Sequence, residues 1–123
     1  MSTLRDKPAT FDWAAFRRAY ERLDSSAVRD LVTDDVELVE IDSRTPPSGP
    51  ARVKGVDALV AAIEDIASRG LEHEVIDEII GEDKAAFHSR CRYPDGKLVE
   101  GMAWLELEHG RIKRMTEVQA FDE

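Results

Sequence analysis

From Leu71 onward the chain holds four stretches of alternating character, LEHEVIDEIIG, KAAFHSRCRY, LVEGMAWLELE and RIKRMTEVQAF, with the tight turns PDGK and HG among them. Alternation with a period of two is the mark of a strand, and connections this short join only antiparallel neighbours. The second half is therefore an antiparallel meander, and its apolar face must be covered by something from the first half.

The first half offers helices for that purpose. Thr10 can cap a helix whose Trp13, Phe16, Tyr20 and Leu23 recur at helical spacing, and Ser25 or Ser26 can start a second, short helix through Val28, Leu31 and Val32 that ends at the TDD of residues 33–35. The strand VELVEID follows at residues 36–42, then SRTPPSGPARVKG, a loop on composition because three prolines and two glycines deny it helix and ladder. Such a loop after a strand is expected to be mobile and to border a site. Asp57 can cap a third helix, with Leu59, Val60, Ile63, Ile66 and Ala67 as its stripe and Gly70 as its stop. Helices followed by antiparallel strands make the fold class α+β, in one domain over residues 10–123 with a flexible segment at residues 1–9.

Parity assigns the sheet faces. Ala85, Phe87, Ser89, Cys91 and Tyr93 share one face, as do Val99, Gly101, Ala103, Leu105 and Leu107. The opposite face of LVEGMAWLELE carries Met102 and Trp104, which need a cover; a second copy of the chain is the simplest, and a homodimer through the outer sheet face is expected. Arg90 and Arg92 share that face and could pair with Glu100 across such an interface. The strand VELVEID is ambiguous by itself: Val36, Leu38, Glu40 and Asp42 lie on one side, Glu37, Val39 and Ile41 on the other. Either choice buries or exposes a carboxylate.

Twenty-six acidic against 17 basic residues give a net charge of −9, which opposes nucleic acid and anionic membrane as partners. No apolar run approaches the roughly 20 residues that cross a bilayer. The single Cys91 leaves no internal disulfide, and a reducing, cytoplasmic setting is expected. His73, His88 and His109 have no metal-ligand spacing to one another or to Cys91, so neither a metal nor another cofactor is expected. Cys91 reads as a small buried hydrophobe.

The ordered set TDDVELVE (33–40), GVDAL (55–59), EIIGEDKAAFHSR (78–90) and HGRIKRMTEV (109–118) resembles the nuclear-transport-factor-2-like superfamily, in its SnoaL-like and ketosteroid-isomerase-like branch. The resemblance spans nearly the whole chain. It implies a cone, in which a curved mixed or antiparallel sheet wraps about three helices around a deep pocket, and it implies dimerisation through the outer face. It turns Glu40 inward, onto the position of the steroid isomerases' catalytic aspartate. It also turns the parity of Met115, Glu117, Gln119 and Phe121 toward the pocket, where Glu117 would face Glu40; the alternative is an ion pair of Glu117 with Arg114 or Lys113. The superfamily's oxyanion aspartate falls on Ala103 and its tyrosine on Ala19 or Tyr20, so efficient steroid isomerisation is not expected.

The resemblance thus implies Glu40, Glu117 and Tyr20 as catalytic residues, and Trp13, Phe16, Leu38, Asp42, Phe87, Cys91, Ala103, Met115 and Gln119 as the ligand-binding wall. Two functions stand beside each other. One is a cofactor-free isomerase, cyclase or lyase that moves protons on a hydrophobic carbonyl compound; the other is a non-catalytic domain that binds a hydrophobic small molecule or dimerises.

Overall fold

The computed structural model describes residues 10–123, and the expected flexible segment at 1–9 lies outside them. Three helices precede or interrupt six strands: α1 (Trp13–Arg22), α2 (Ser25–Arg29), β1 (Val32–Ile41), β2 (Ala51–Lys54), α3 (Val56–Ser68), β3 (Glu72–Ile80), β4 (Lys84–Arg92), β5 (Leu98–Glu108) and β6 (Arg111–Phe121). The strands form one sheet in the order β2-β1-β6-β5-β4-β3. β3 to β6 are the expected antiparallel meander, and β1 joins β6 in parallel, which makes the sheet mixed.

Several local expectations are corrected. The cap of α1 is Asp12, whose Oδ1 accepts the Ala15 N–H at 3.0 Å, in place of Thr10. Asp24 likewise caps α2 through the Ala27 N–H, ahead of Ser25 and Ser26. A carboxylate at the N-cap satisfies a free N–H and complements the helix dipole, an advantage over the neighbouring hydroxyls. α2 stops at Arg29, and Thr33-Asp34-Asp35 belongs to β1 because Val32 pairs with Ile112 of β6. The end of the Pro/Gly loop is strand β2: Ala51 to Lys54 pair antiparallel with Glu40 to Glu37, since only the residues after Pro50 are free of proline and can donate. α3 is capped by Gly55 at φ 91°, and Asp57 in its first turn holds Arg29 of α2 at 2.9 Å.

Register breaks within β1, β3 and the β5–β6 pair bend the sheet, so one face closes around the helices. Its inner residues are those parity assigns: Ala85, Phe87, Ser89 and Cys91 on β4, and Val99, Gly101, Ala103, Leu105 and Leu107 on β5, are all buried. The narrow end is filled with aromatic rings. Phe87 meets Trp13 and Phe16 with centroids 5.6 Å apart in each case, and Tyr20 at 5.0 Å. Trp13, Phe16 and Tyr20 are successive turns of one stripe on α1, so the helix lies along β3 and β4 as a plug.

The outer face carries Met102, 57% exposed, Trp104, 48%, and Val118, 52%. Glu100 does not wait for a second chain: Arg90 donates to both of its oxygens, at 2.8 and 3.1 Å, and His88 lies at 2.6 Å within the same chain. Among the described residues no helix is long and apolar enough to cross a membrane.

Candidate active site

Above the aromatic plug the cone remains open, leaving a cavity of about 370 Å³. Its helix side is apolar, with Leu59, Ala62, Ile63 and Ile66 on α3 and Val28 on α2. Its sheet side sets polar groups among apolar ones such as Leu38, Val99 and Met115. Glu40 and Asp42 come from β1 and the residue after it, Glu117 and Gln119 from β6, and Ser89 from β4.

Glu40 and Glu117 are placed together by register. They are Cα partners on the parallel pair β1–β6, and partners on adjacent strands point to the same face. Glu117 is only 5% exposed, and no cation pairs with it among the described residues. The ion-pair alternative is corrected: Arg114 pairs with Glu37 and Glu106, and Lys113 with Glu108, all on the other face or at the strand end. Glu117 Oε1 accepts from Gln119 Nε2 at 3.0 Å, and among the described residues Oε2 is buried without a hydrogen-bond partner, since the nearby Tyr20 hydroxyl donates to Ser89. Burial, and next the charge of Glu40, push the Glu117 carboxyl up to about 8, an effect that the Tyr20 hydroxyl only partly offsets. At neutral pH Glu117 is a protonated acid, a donor where a carboxylate would only accept.

Glu40 is half-buried, and its affinity for a proton is raised by burial and then by Asp42. Asp42 behaves differently. Burial acts against its charge, but the N–H groups of Arg44 and Thr45 donate to its Oδ1 at 2.7 and 2.9 Å and hold its carboxyl below its ordinary range. It is thus a turn residue at the mouth, fixing the loop that follows β1.

The Tyr20 hydroxyl donates to Ser89 Oγ at 3.1 Å. Burial, and then Glu117, raise the Tyr20 hydroxyl well above its ordinary value, so it stays protonated. Gly101 explains how these groups share one spot. A Cβ on Gly101 would stand 2.9 Å from Ser89 Oγ and 3.3 Å from Glu117 Oε2, so the bare backbone is what leaves room for both. Ala103 is the direct register partner of Glu117 on β5. The acid therefore stands one strand across from the position at which the resemblance found alanine.

Phe16, Tyr20, Leu38, Glu40, Asp42, Cys91, Met115, Glu117 and Gln119 line the cavity as a group. Trp13, Phe87 and Ala103 do not: they are packed below it, where the rings of α1 meet β4. Cys91 has its thiol pushed up to about 11 by burial and by Glu117, and is no thiolate. Among the lining residues outside the sequence-based set, two polar ones bear on the site. Ser89 was legible by parity, between Phe87 and Cys91. His73, whose ring lies 4.8 Å from that of Tyr20, came from a strand whose alternation gives no sign of a site. Burial lowers the affinity of His73 for a proton, so it is neutral. Among the described residues no group of His, Cys, Asp and Glu could hold a metal ion.

The SnoaL-like domain profile matches residues 13–115. The chain belongs to that family. No curated protein matches it in sequence. Among solved structures it is similar to an NTF2-like protein of unknown function from Mesorhizobium loti, at 21% identity over 89% of this chain and 87% of that one, with a TM-score of 0.72. It is also similar to a protein named as a candidate ketosteroid isomerase from Kribbella flavida, at 18% identity over 89% and 76% with a TM-score of 0.66. A third, named as a candidate polyketide cyclase from Sinorhizobium meliloti, is 19% identical over 84% and 89%, with a TM-score of 0.67. These likenesses establish the NTF2-like fold; at such identities the chemistry rests on the cavity itself.

Proposed function

We propose that this SnoaL-like protein is a cofactor-free acid–base enzyme, an isomerase, cyclase or lyase that acts on a hydrophobic carbonyl compound. The observation that carries the reading is the uncompensated Glu117 carboxyl, buried beside Glu40 in a cavity with an apolar opposite wall. Two carboxylates this close cannot both ionise freely, so one holds the proton and the other accepts one. Glu40, nearer to solvent, is the base; Glu117 is the acid.

In the reaction this implies, Glu40 removes a proton from the carbon next to the carbonyl. The electron pair moves to the carbonyl oxygen, which Glu117 Oε2 protonates or holds by hydrogen bond, giving the enol. Return of the proton from protonated Glu40 to a different carbon, with return of the oxygen's proton to Glu117, completes an isomerisation; in an elimination the group on the next carbon departs with its bond pair and takes the proton from Glu40, while the oxygen's proton returns to Glu117. Tyr20 gives its proton to Ser89 Oγ, so the Ser89 hydroxyl, oriented by that bond, adds a second neutral donor.

The second reading, a non-catalytic binding domain, is favoured by Ala103 at the position of the family's oxyanion acid. A test separates the two. In D2O the protein should speed exchange of the acidic α-hydrogens of 2-tetralone above the buffer rate, and Glu40→Gln should remove the excess. Exchange at the buffer rate, or exchange indifferent to Glu40→Gln, would leave the binding reading. The same proposal includes a homodimer. Exposed Met102, Trp104 and Val118 lie together on the outer sheet face, with Met102 and Val118 as register partners, and a second copy would bury them.

A further inference from the structure

We propose that the cavity also takes organic amines: an apolar body with one protonated nitrogen, the nitrogen seated between Glu40 and Glu117 and the body against α3. This goes beyond the proton-transfer reading. It uses the same cavity but requires no turnover.

The argument starts from charge. Three carboxyl groups, Glu40, Asp42 and Glu117, stand on the sheet side of the cavity, and no lysine or arginine stands among them. The two arginines that touch the cavity are exposed at its rim. Arg69 is tied to Asp65, its neighbour one helical turn away, and Arg44 lies over the Phe121 ring at 5.9 Å, where it offsets Asp42. The remaining polar groups that line it include the hydroxyls of Tyr20 and Ser89, the Gln119 amide, the Cys91 thiol and the His73 imidazole, and none of these brings a positive charge. The interior charge near pH 7 is therefore that of Glu40, with Glu117 able to add a second when it gives up its proton.

The second observation is Glu117 Oε2 itself. It is a buried carboxyl oxygen on the cavity wall with no hydrogen-bond partner among the described residues. Leaving such an atom unpaired costs about 1–3 kcal/mol, which a donor on a ligand recovers. An ammonium brings three donors and a positive charge, so it satisfies Oε2 and the facing Glu40 together. A ligand carboxylate in the same place would set a second negative charge against Glu40 in a dry site and hold Glu117 in its protonated form. An alcohol would satisfy Oε2 and gain nothing from Glu40's charge. The expected order is amine, then alcohol, then carboxylate.

Proton balance gives the proposal a signature that simple hydrophobic binding lacks. Glu117 holds its proton up to about pH 8 in the empty cavity. An ammonium beside it favours the ionised form, so binding near pH 7 should expel that proton to solvent.

The experiment uses 1-adamantylamine, 1-adamantanol and 1-adamantanecarboxylate, which share one rigid apolar cage, in titration calorimetry at pH 7 in two buffers of different ionisation enthalpy. The amine should bind at least 10-fold more tightly than the alcohol and 100-fold more tightly than the carboxylate, with release of up to one proton for the amine and none for the alcohol. Glu117→Gln should abolish the release, and Glu40→Gln with Glu117→Gln should bring amine and alcohol within about threefold of each other. Carboxylate binding as tight as amine binding would overturn the proposal, as would a preference that survives in the double variant or a failure of all three to bind below millimolar concentration. The outcome is separable from the proton-transfer reading. Amine preference without Glu40-dependent exchange of 2-tetralone would refute catalysis alone, and exchange without amine preference would refute this inference alone.

Discussion

Replacing Glu117 by glutamine should make the protein more stable while disabling it. The folded chain holds the Glu117 proton up to about pH 8, against an ordinary value of 4.5 for the free side chain. Between these values the folded state keeps a proton that the unfolded state has released, so the unfolding free energy falls as pH rises, by about 1.4 kcal/mol per unit. Below the unfolded value both states are protonated and nothing is lost. At pH 7 the loss is about 3 kcal/mol, and above pH 8 it levels at about 5 kcal/mol. Glu117→Gln keeps the shape and the Gln119 contact but carries no charge, so it should match the wild type near pH 4, exceed it by about 3 kcal/mol at pH 7 and by about 5 kcal/mol at pH 9. Urea titrations read this directly, because an m-value of about 2 kcal/mol per molar turns the pH 7 difference into a midpoint shift of about 1.5 M. A difference between the two proteins that does not change from pH 5 to pH 9 would refute the reasoning. A stability gain that removes a functional group is the expected trade at an active site.

Three further outcomes follow from other parts of the molecule. Gly101→Ala should cost about 1–3 kcal/mol in a urea titration and weaken binding of 1-adamantanol, because the new methyl overlaps Ser89 Oγ and crowds Glu117 Oε2; wild-type stability and binding would show that the sheet relaxes there. Trp104→Glu should convert a dimer to a folded monomer in sedimentation at micromolar concentration, and a wild type that already sediments as a monomer would dismiss the proposed interface. Asp42→Ala removes the acceptor of the Arg44 and Thr45 N–H groups. Trypsin should then cut after Arg44 faster than in the wild type, and unchanged cleavage would mean the turn is held by Pro46 and Pro47 alone.

Much of the fold was legible because it follows from short-range rules. Period-two alternation and tight turns defined β3 to β6 together with their inner faces, and helical spacing placed Trp13, Phe16 and Tyr20 on one stripe. What failed was local competition between similar signals. Thr10 and Asp12 are both good caps, and Ser25 stands beside Asp24; propensity does not rank them once the neighbouring chain sets the entry angle. β2 was hidden because its four residues follow prolines, and its pairing comes from β1, a tertiary partner that composition does not reveal. At the site, parity put Glu40 and Glu117 on one wall only after the resemblance had chosen which face was inside. Trp13, Phe87 and Ala103 were misplaced because inward parity does not distinguish the filled end of a cone from its open end. That depends on side-chain volume across several strands, with Phe87 against Trp13 and Phe16 closing the lower part.

The account turns on where one proton resides. A carbon-13 NMR titration of protein labelled at the glutamate side-chain carboxyl, with Glu117→Gln to assign the resonance, measures it without reference to any substrate. Glu117 should titrate near pH 8 and move to lower pH in Glu40→Gln, since the charge of Glu40 is one cause of the shift. A midpoint near the ordinary 4.5, unmoved by Glu40→Gln, would place the group in water and contradict the acid–base pair.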